Sequence, residues 1–175
     1  MSGWGEKHGE LFLCEQGCCI PNTTSIQISQ SQLKEFVIFL KSFKKNIERV
    51  FSKTSTSYTK DFKKMLQISQ EFFECLNLSK DQREFLNQRT KKLLKLLNNS
   101  SFSHDLIFNE LEQLLLFLFS IVKSFKISNH TLEKLIELLR KTEFILIRCG
   151  HIGNKYSLVD LKRPKGIKKL SKVSE

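Results

Sequence analysis

Apolar residues recur at every third or fourth position through most of the chain, which is the spacing of amphipathic helices. The pattern predicts five helices, over about residues 31–51, 57–76, 80–97, 104–125 and 129–148. The fourth is apolar on nearly all sides, as expected for a helix at the centre of a bundle or in an oligomer interface. The sequence therefore predicts an all-α fold, a single compact bundle of about five antiparallel helices in which four amphipathic helices surround the fourth.

Helix-breaking residues are confined to the two ends of the chain. No glycine occurs between Gly17 and Gly150, and no proline occurs between Pro21 and Pro164. We therefore predict an irregular, cysteine-containing N-terminal segment (residues 1–30), a five-helix bundle (31–150) and a basic C-terminal tail (151–175). Within the bundle, Ser79 to Gln82 has the sequence of a capping box at a helix start, and Gly150 is predicted to stop the last helix.

Two basic clusters are candidate contacts for anionic partners. The chain of 175 residues has a net charge of +11, of which the three segments contribute −2, +8 and +5. The first cluster lies on the third helix and comprises Arg83, Arg89, Lys91, Lys92 and Lys95. The second lies in the tail and comprises Lys162, Arg163, Lys165, Lys168 and Lys169. Such clusters contact phosphates of nucleic acid or anionic membranes, and the tail also resembles a nuclear-import sequence. The alternative is a solvated helix face and tail, since no aromatic residues interleave the helical row as stacking platforms.

Three cysteines near the N-terminus are candidates for lipid attachment. Cys14, Cys18 and Cys19 lie close together, and His8 is the only further metal-ligand type nearby that commonly completes a zinc site. We therefore expect no metal here, and S-acylation or unmodified thiols remain as alternatives. The first residues show no secretory signal, which favours an intracellular protein with reduced thiols, cytoplasmic or nuclear.

The sequence contains no recognisable catalytic arrangement. The four histidines lie in the N-terminal segment or next to helix ends, without a local Cys/His or Ser/His/Asp pattern. Glu110 and Glu112, like Glu133 and Glu137, are interpreted as solvated helix edges, and a core without glycine cannot form a glycine-rich phosphate loop. We expect no cofactor and no enzymatic activity, and an enzyme with a dispersed site is the least favoured hypothesis.

These observations favour a non-enzymatic protein-protein interaction or scaffold module. Its expected contact is an apolar helix face, or a groove beside the fourth helix, that binds a protein partner or a second copy of the chain. Close packing of the bulky phenylalanines, with no open groove, is favoured over a groove at this position. The second hypothesis is a peripheral binder of membrane or nucleic acid through the two basic clusters. No segment has the length expected of a transmembrane span.

Overall fold

Five α-helices make up most of the computed structural model, which describes residues 25–52, 56–101 and 103–153, with side chains described as far as Gly150. They are α1 (Gln30–Ser52), α2 (Thr56–Glu74), α3 (Lys80–Asn98), α4 (His104–Ser124) and α5 (Asn129–Gly153). No β-strand occurs in these ranges. The predicted all-α bundle is confirmed. The N-terminal cysteines and the basic tail cluster, Lys162 to Lys169, lie outside the described residues.

Serine side chains fix the start of three helices. The predicted capping box forms at α3, where Ser79 Oγ accepts from the Gln82 backbone N at 3.2 Å and Gln82 Oε1 accepts from the Ser79 N at 2.8 Å. The same reciprocal pair, which was not predicted from the sequence, joins Ser29 and Gln32 at α1. At α5, Ser128 Oγ accepts from the Thr131 N at 3.3 Å. Each bond satisfies a backbone donor that has no partner inside its own helix.

The five helices pack in a closed ring, α1 to α2 to α3 to α4 to α5 and back to α1. A ring with an odd number of helices cannot alternate in direction throughout, so one neighbouring pair must be parallel. That pair is α1 and α5: an Arg148–Glu48 ion pair of 3.2 Å joins their C-terminal parts, and a parallel bridge between Ile26 and Phe125 lies where both begin. The predicted antiparallel arrangement therefore describes consecutive helices, and the closing pair departs from it.

Helix α4 is a member of this ring and not its centre. It packs mainly against α3 and α5, and it buries a broad stripe that includes Ile107, Leu111, Leu118 and Ile121. Leu106 on its other side is 51% exposed. The prediction that the other four helices surround α4 is therefore wrong. Side chains from all five helices, largely phenylalanine and leucine, fill the shared interior of the ring.

Part of the predicted irregular N-terminal segment belongs to the core. Ile26 is fully buried, its backbone N donates to the Ser124 O at 2.7 Å, and its O accepts from the Lys126 N at 2.9 Å. The segment before α1 is thus held against the turn between α4 and α5. This contact joins the beginning of the bundle to its last two helices.

Gly150 does not end α5, which continues to Gly153. A Cβ at position 150 would lie only 2.5 Å from Cε2 and 2.7 Å from Cδ2 of the Phe108 ring on α4. The glycine therefore allows this ring to approach the α5 backbone closely. The predicted stop is wrong because the absence of a side chain serves helix packing here, and not a left-handed cap.

Replacing Gly150 with alanine is expected to destabilise the bundle, although alanine is normally the better helix former by about 1 kcal/mol. Because the Phe108 ring must move to admit the methyl group, we expect a net loss of about 1–2 kcal/mol in the free energy of unfolding. Urea denaturation measures the change. The double variant Gly150→Ala/Phe108→Leu should lose less than the sum of the two single changes, and simple additivity would contradict the proposed clash.

Within the described ranges, none of the five helices is both long enough and apolar enough to cross a bilayer.

Candidate functional site

A groove of about 560 Å³ runs between α1 and α2 on the outside of the ring. Phe39 from α1 and Met65 and Phe72 from α2 form apolar parts of its wall. Ser42 and Ser69 line it where larger side chains would close the space between the helices. The groove therefore exists because α1 and α2 present small residues to each other above the phenylalanine core. The groove predicted from the sequence was beside α4, and this groove lies between α1 and α2.

Two isoleucines project from the helices that form this groove. Ile38 on α1 is 66% exposed and Ile68 on α2 is 57% exposed, and both line the groove. Isolated exposed apolar side chains are ordinary on protein surfaces, but a set grouped around a concavity is typical of a binding site. The hydrophobic face of the α1 and α2 pair is thus wider than the core requires.

Two side-chain donors in the floor of the groove are already hydrogen-bonded within their own helices. Asn46 Nδ2 donates to the Ser42 backbone O at 2.8 Å, and Ser69 Oγ donates to the Leu66 backbone O at 2.7 Å. Both side chains are buried. Because these donors are satisfied, a partner can cover the floor without leaving them unpaired, and the floor acts largely as an apolar surface.

Charged residues at the ends of the groove give it polarity. Glu35 lies at the end near the start of α1, and Lys45, Arg49 and Lys64 line the other part together with Asp61. The Arg49 guanidinium also lies 5.7 Å from the centroid of the Tyr58 ring. An occupant with acidic residues toward the α1 C-terminus would therefore find complementary charge.

The predicted basic row on α3 divides into three groups of residues with different surroundings. Arg83 donates to the backbone O atoms of Glu74, Leu76 and Leu78, at 3.1–3.4 Å, after the end of α2. Its guanidinium thus satisfies carbonyls that have no helical partner. Lys91 and Lys95 are exposed.

Arg89 and Lys92, the other members of the row, both form ion pairs with Glu110 on α4. The Arg89 Nη1 lies 3.3 Å from Glu110 Oε2, and the guanidinium also lies 5.1 Å from the centroid of the Phe85 ring. These two cations therefore help to join α3 to α4, and Lys91 and Lys95 are the described members of the row that remain exposed without such a role.

Glu110 is buried, and its prediction as a solvated edge was wrong. It lies in the apolar stripe that includes Ile107, Leu111 and Leu114, which is the signal that could have identified it as inward-facing. A carboxylate in such a stripe requires cations from a neighbouring helix, and α3 supplies them. The prediction failed because the basic residues of α3 and the acid of α4 were interpreted separately.

The described cysteines and histidines have different surroundings from one another. Cys149 is buried, and desolvation raises the pKa of its thiol, which disfavours the nucleophilic thiolate. Cys75 is an exposed free thiol, and the His104 ring packs 5.6 Å from Phe51. No group of three or more His, Cys, Asp or Glu residues among those described is arranged to hold a metal ion.

A second hollow lies beside the N-termini of α1 and α5, lined in part by Ile28, Leu33 and Lys126. Two parallel helices begin here, so their positive dipole ends lie close together. Their first turns are already capped by Ser29, Gln32 and Ser128. The α1/α2 groove is consequently the stronger candidate site.

Comparisons with models of known protein families, with curated proteins and with solved structures give no match for this chain.

Proposed function

We propose that this protein is a non-enzymatic interaction module that binds an α-helix of a protein partner in the α1/α2 groove. The observation that carries the proposal is the exposure of Ile38 and Ile68 beside a floor in which the buried Asn46 and Ser69 side chains already donate to their own helices. A helix inserting apolar residues between these isoleucines would remove apolar area from water at little cost in unpaired polar groups.

Contacts within the bundle weigh against the second hypothesis, a binder of anionic surfaces. Arg83, Arg89 and Lys92 are committed to contacts within the bundle, so the described part of the α3 row offers Lys91 and Lys95 to a phosphate. A binder of nucleic acid generally gains affinity from many such contacts at once. The tail cluster from Lys162 to Lys169 remains the stronger part of that hypothesis.

Affinity capture from extracts of the native cell type at physiological salt tests the proposal. The full chain is compared with two variants. Ile38→Glu places a charge in the groove, and Leu106→Glu makes the same kind of change at an exposed leucine of α4. We expect a protein partner to be retained by the wild type and by Leu106→Glu, and to fall at least tenfold with Ile38→Glu, since a buried unpaired charge costs more than 1.4 kcal/mol.

A second variant separates the anionic-surface hypothesis from the groove. It replaces Lys162, Arg163, Lys165, Lys168 and Lys169 with glutamine in the full chain. Loss of nucleic acid or lipid with this variant, together with capture unaffected by Ile38→Glu, would contradict the proposed function. Loss of the partner with Leu106→Glu alone would place the docking surface beside α4 instead.

A further inference from the structure

The charges around the α1/α2 groove change sign along its length. Glu35 marks one end, and Lys45, Arg49 and Lys64 with Asp61 mark the other. Glu71 on α2 is also exposed. It lies toward the same end as Glu35, because its neighbour Phe72 packs against Phe36 on α1, with 6.1 Å between the ring centroids. The face formed by α1 and α2 is therefore acidic toward the start of α1 and mainly basic toward its end.

Such a face is complementary to a second copy of itself turned by a two-fold rotation. If two α1 helices pair in opposite directions about Ser42, then Glu35 of one copy lies opposite Arg49 of the other, since both are seven residues, or about 10.5 Å, from the axis. The rotation thus matches charge along α1.

The shape of the face fits the same arrangement. The residues of α1 that line the groove include Glu35, Ile38, Ser42, Lys45 and Arg49, which are spaced alternately by three and four and so follow one face of the helix. The small Ser42 lies at the proposed axis, where the two backbones come closest. The projecting Ile38 lies four residues away, level with the space above Asn46 of the other copy.

We propose that the protein forms a two-fold symmetric homodimer in which the α1/α2 faces pair in antiparallel fashion, each copy placing Ile38 and Ile68 over the other's groove. The inference rests on the proposed function, because it names the second copy as an occupant of the same docking surface. An isologous contact of this kind closes on itself and yields dimers, not filaments.

The extent of the face sets the expected affinity. From Glu35 to Arg49 it is about 21 Å long, and two packed helices are about 20 Å wide, so its projected area is roughly 400 Å². This is small beside the ~800 Å² per partner of a standard interface. The net charge of +11 on each copy also opposes association. We therefore expect a reversible dimer with a micromolar dissociation constant, measured best near 0.15 M salt, where the Debye length is about 8 Å.

Sedimentation equilibrium of the full chain from about 1 to 500 μM tests the dimer, a range that brackets a micromolar dissociation constant. Wild type should shift from monomer to dimer across this range, and Ile38→Glu should remain monomeric. Glu35→Lys and Arg49→Glu should each weaken association about tenfold, because symmetry places every changed residue in the interface twice. The double variant Glu35→Lys/Arg49→Glu reverses both partners of the pair and should restore dimerisation to within about threefold of wild type.

Matched controls make the same charge changes away from the face. Glu133→Lys on α5 and Lys91→Glu on α3 alter exposed residues and should leave association within about twofold of wild type. Circular dichroism confirms that each variant is folded. A wild type that stays monomeric throughout, or a double variant no better than the singles, would overturn the dimer. A monomer whose partner capture still depends on Ile38 would overturn the dimer alone and leave the proposed function standing.

Discussion

Replacing Phe36 with alanine is expected to lower the free energy of unfolding by about 4 kcal/mol. Phe36 is fully buried, and its ring lies 5.2–6.3 Å from the rings of Phe39, Phe72, Phe73 and Phe125. These rings come from α1, from α2 and from the turn between α4 and α5. The alanine variant would leave a cavity where three parts of the ring of helices meet.

Such a loss is large because small domains are stable by only about 5–15 kcal/mol. Chemical denaturation followed by circular dichroism measures it. Phe36→Leu retains much of the volume and should lie between wild type and alanine. The control is Phe144→Ala, since Phe144 is 66% exposed and should change stability by no more than about 0.5 kcal/mol. Equal effects of the two alanine variants would show that Phe36 is not at the centre of the core.

Replacing Glu110 with alanine is expected to cost about 3 kcal/mol, near the low end for a broken buried ion pair. The Arg89 side chain is only 25% exposed and would lose its counter-charge, whereas that of Lys92 is 60% exposed and can turn to water. The loss should therefore come mainly from the guanidinium that remains partly buried between α3 and α4.

A double-mutant cycle separates the cost of breaking the pair from its net contribution. Because apolar residues often replace a buried ion pair without loss, Glu110→Leu/Arg89→Leu should recover most of the stability that Glu110→Ala loses. The free energies of unfolding of the two single leucine variants and the double variant complete the cycle. A cost below about 1 kcal/mol for Glu110→Ala would place this cluster with ordinary surface ion pairs and contradict its structural role.

The self-association proposed for the α1/α2 face has a consequence for binding. A dimer of this form covers Ile38 and Ile68 in both copies, so a partner helix must compete with the second copy for the groove. Partner binding should consequently be strongest at concentrations where the protein is monomeric. Dilute protein is therefore the appropriate state for tests of the groove itself.

Local sequence patterns predicted the helices well because helix spacing and capping are short-range properties. The start of α3 follows from Ser79 and Gln82 alone, and the reciprocal bonds are present. Closure of the ring could not be predicted in this way. The parallel α1/α5 pair depends on contacts such as Glu48 with Arg148, one hundred residues apart, that no local pattern reports.

The site was less predictable than the fold because its features depend on which residues face each other. Ser42 and Ser69 are unremarkable in sequence, and they open a groove because α1 and α2 bring them to the same hollow. Gly150 likewise resembles a helix stop in sequence, and only the structure shows that the Phe108 ring packs against its backbone. Glu110 depends on both, since its place in an apolar stripe is a local signal, whereas its counter-charges come from α3.

Docking of a protein partner in the α1/α2 groove is tested most directly by lysine footprinting. Dilute full-length protein is labelled with an amine-reactive reagent in buffer and in native cell extract, and the rate at each lysine is read by mass spectrometry. Lys45 and Lys64 line the groove, whereas Lys91 and Lys95 are exposed on α3. We predict that the extract slows labelling of Lys45 and Lys64 and leaves Lys91 and Lys95 unchanged. Protection of Lys91, Lys95 and the tail lysines, with Lys45 and Lys64 labelled at their rates in buffer, would contradict docking in the groove.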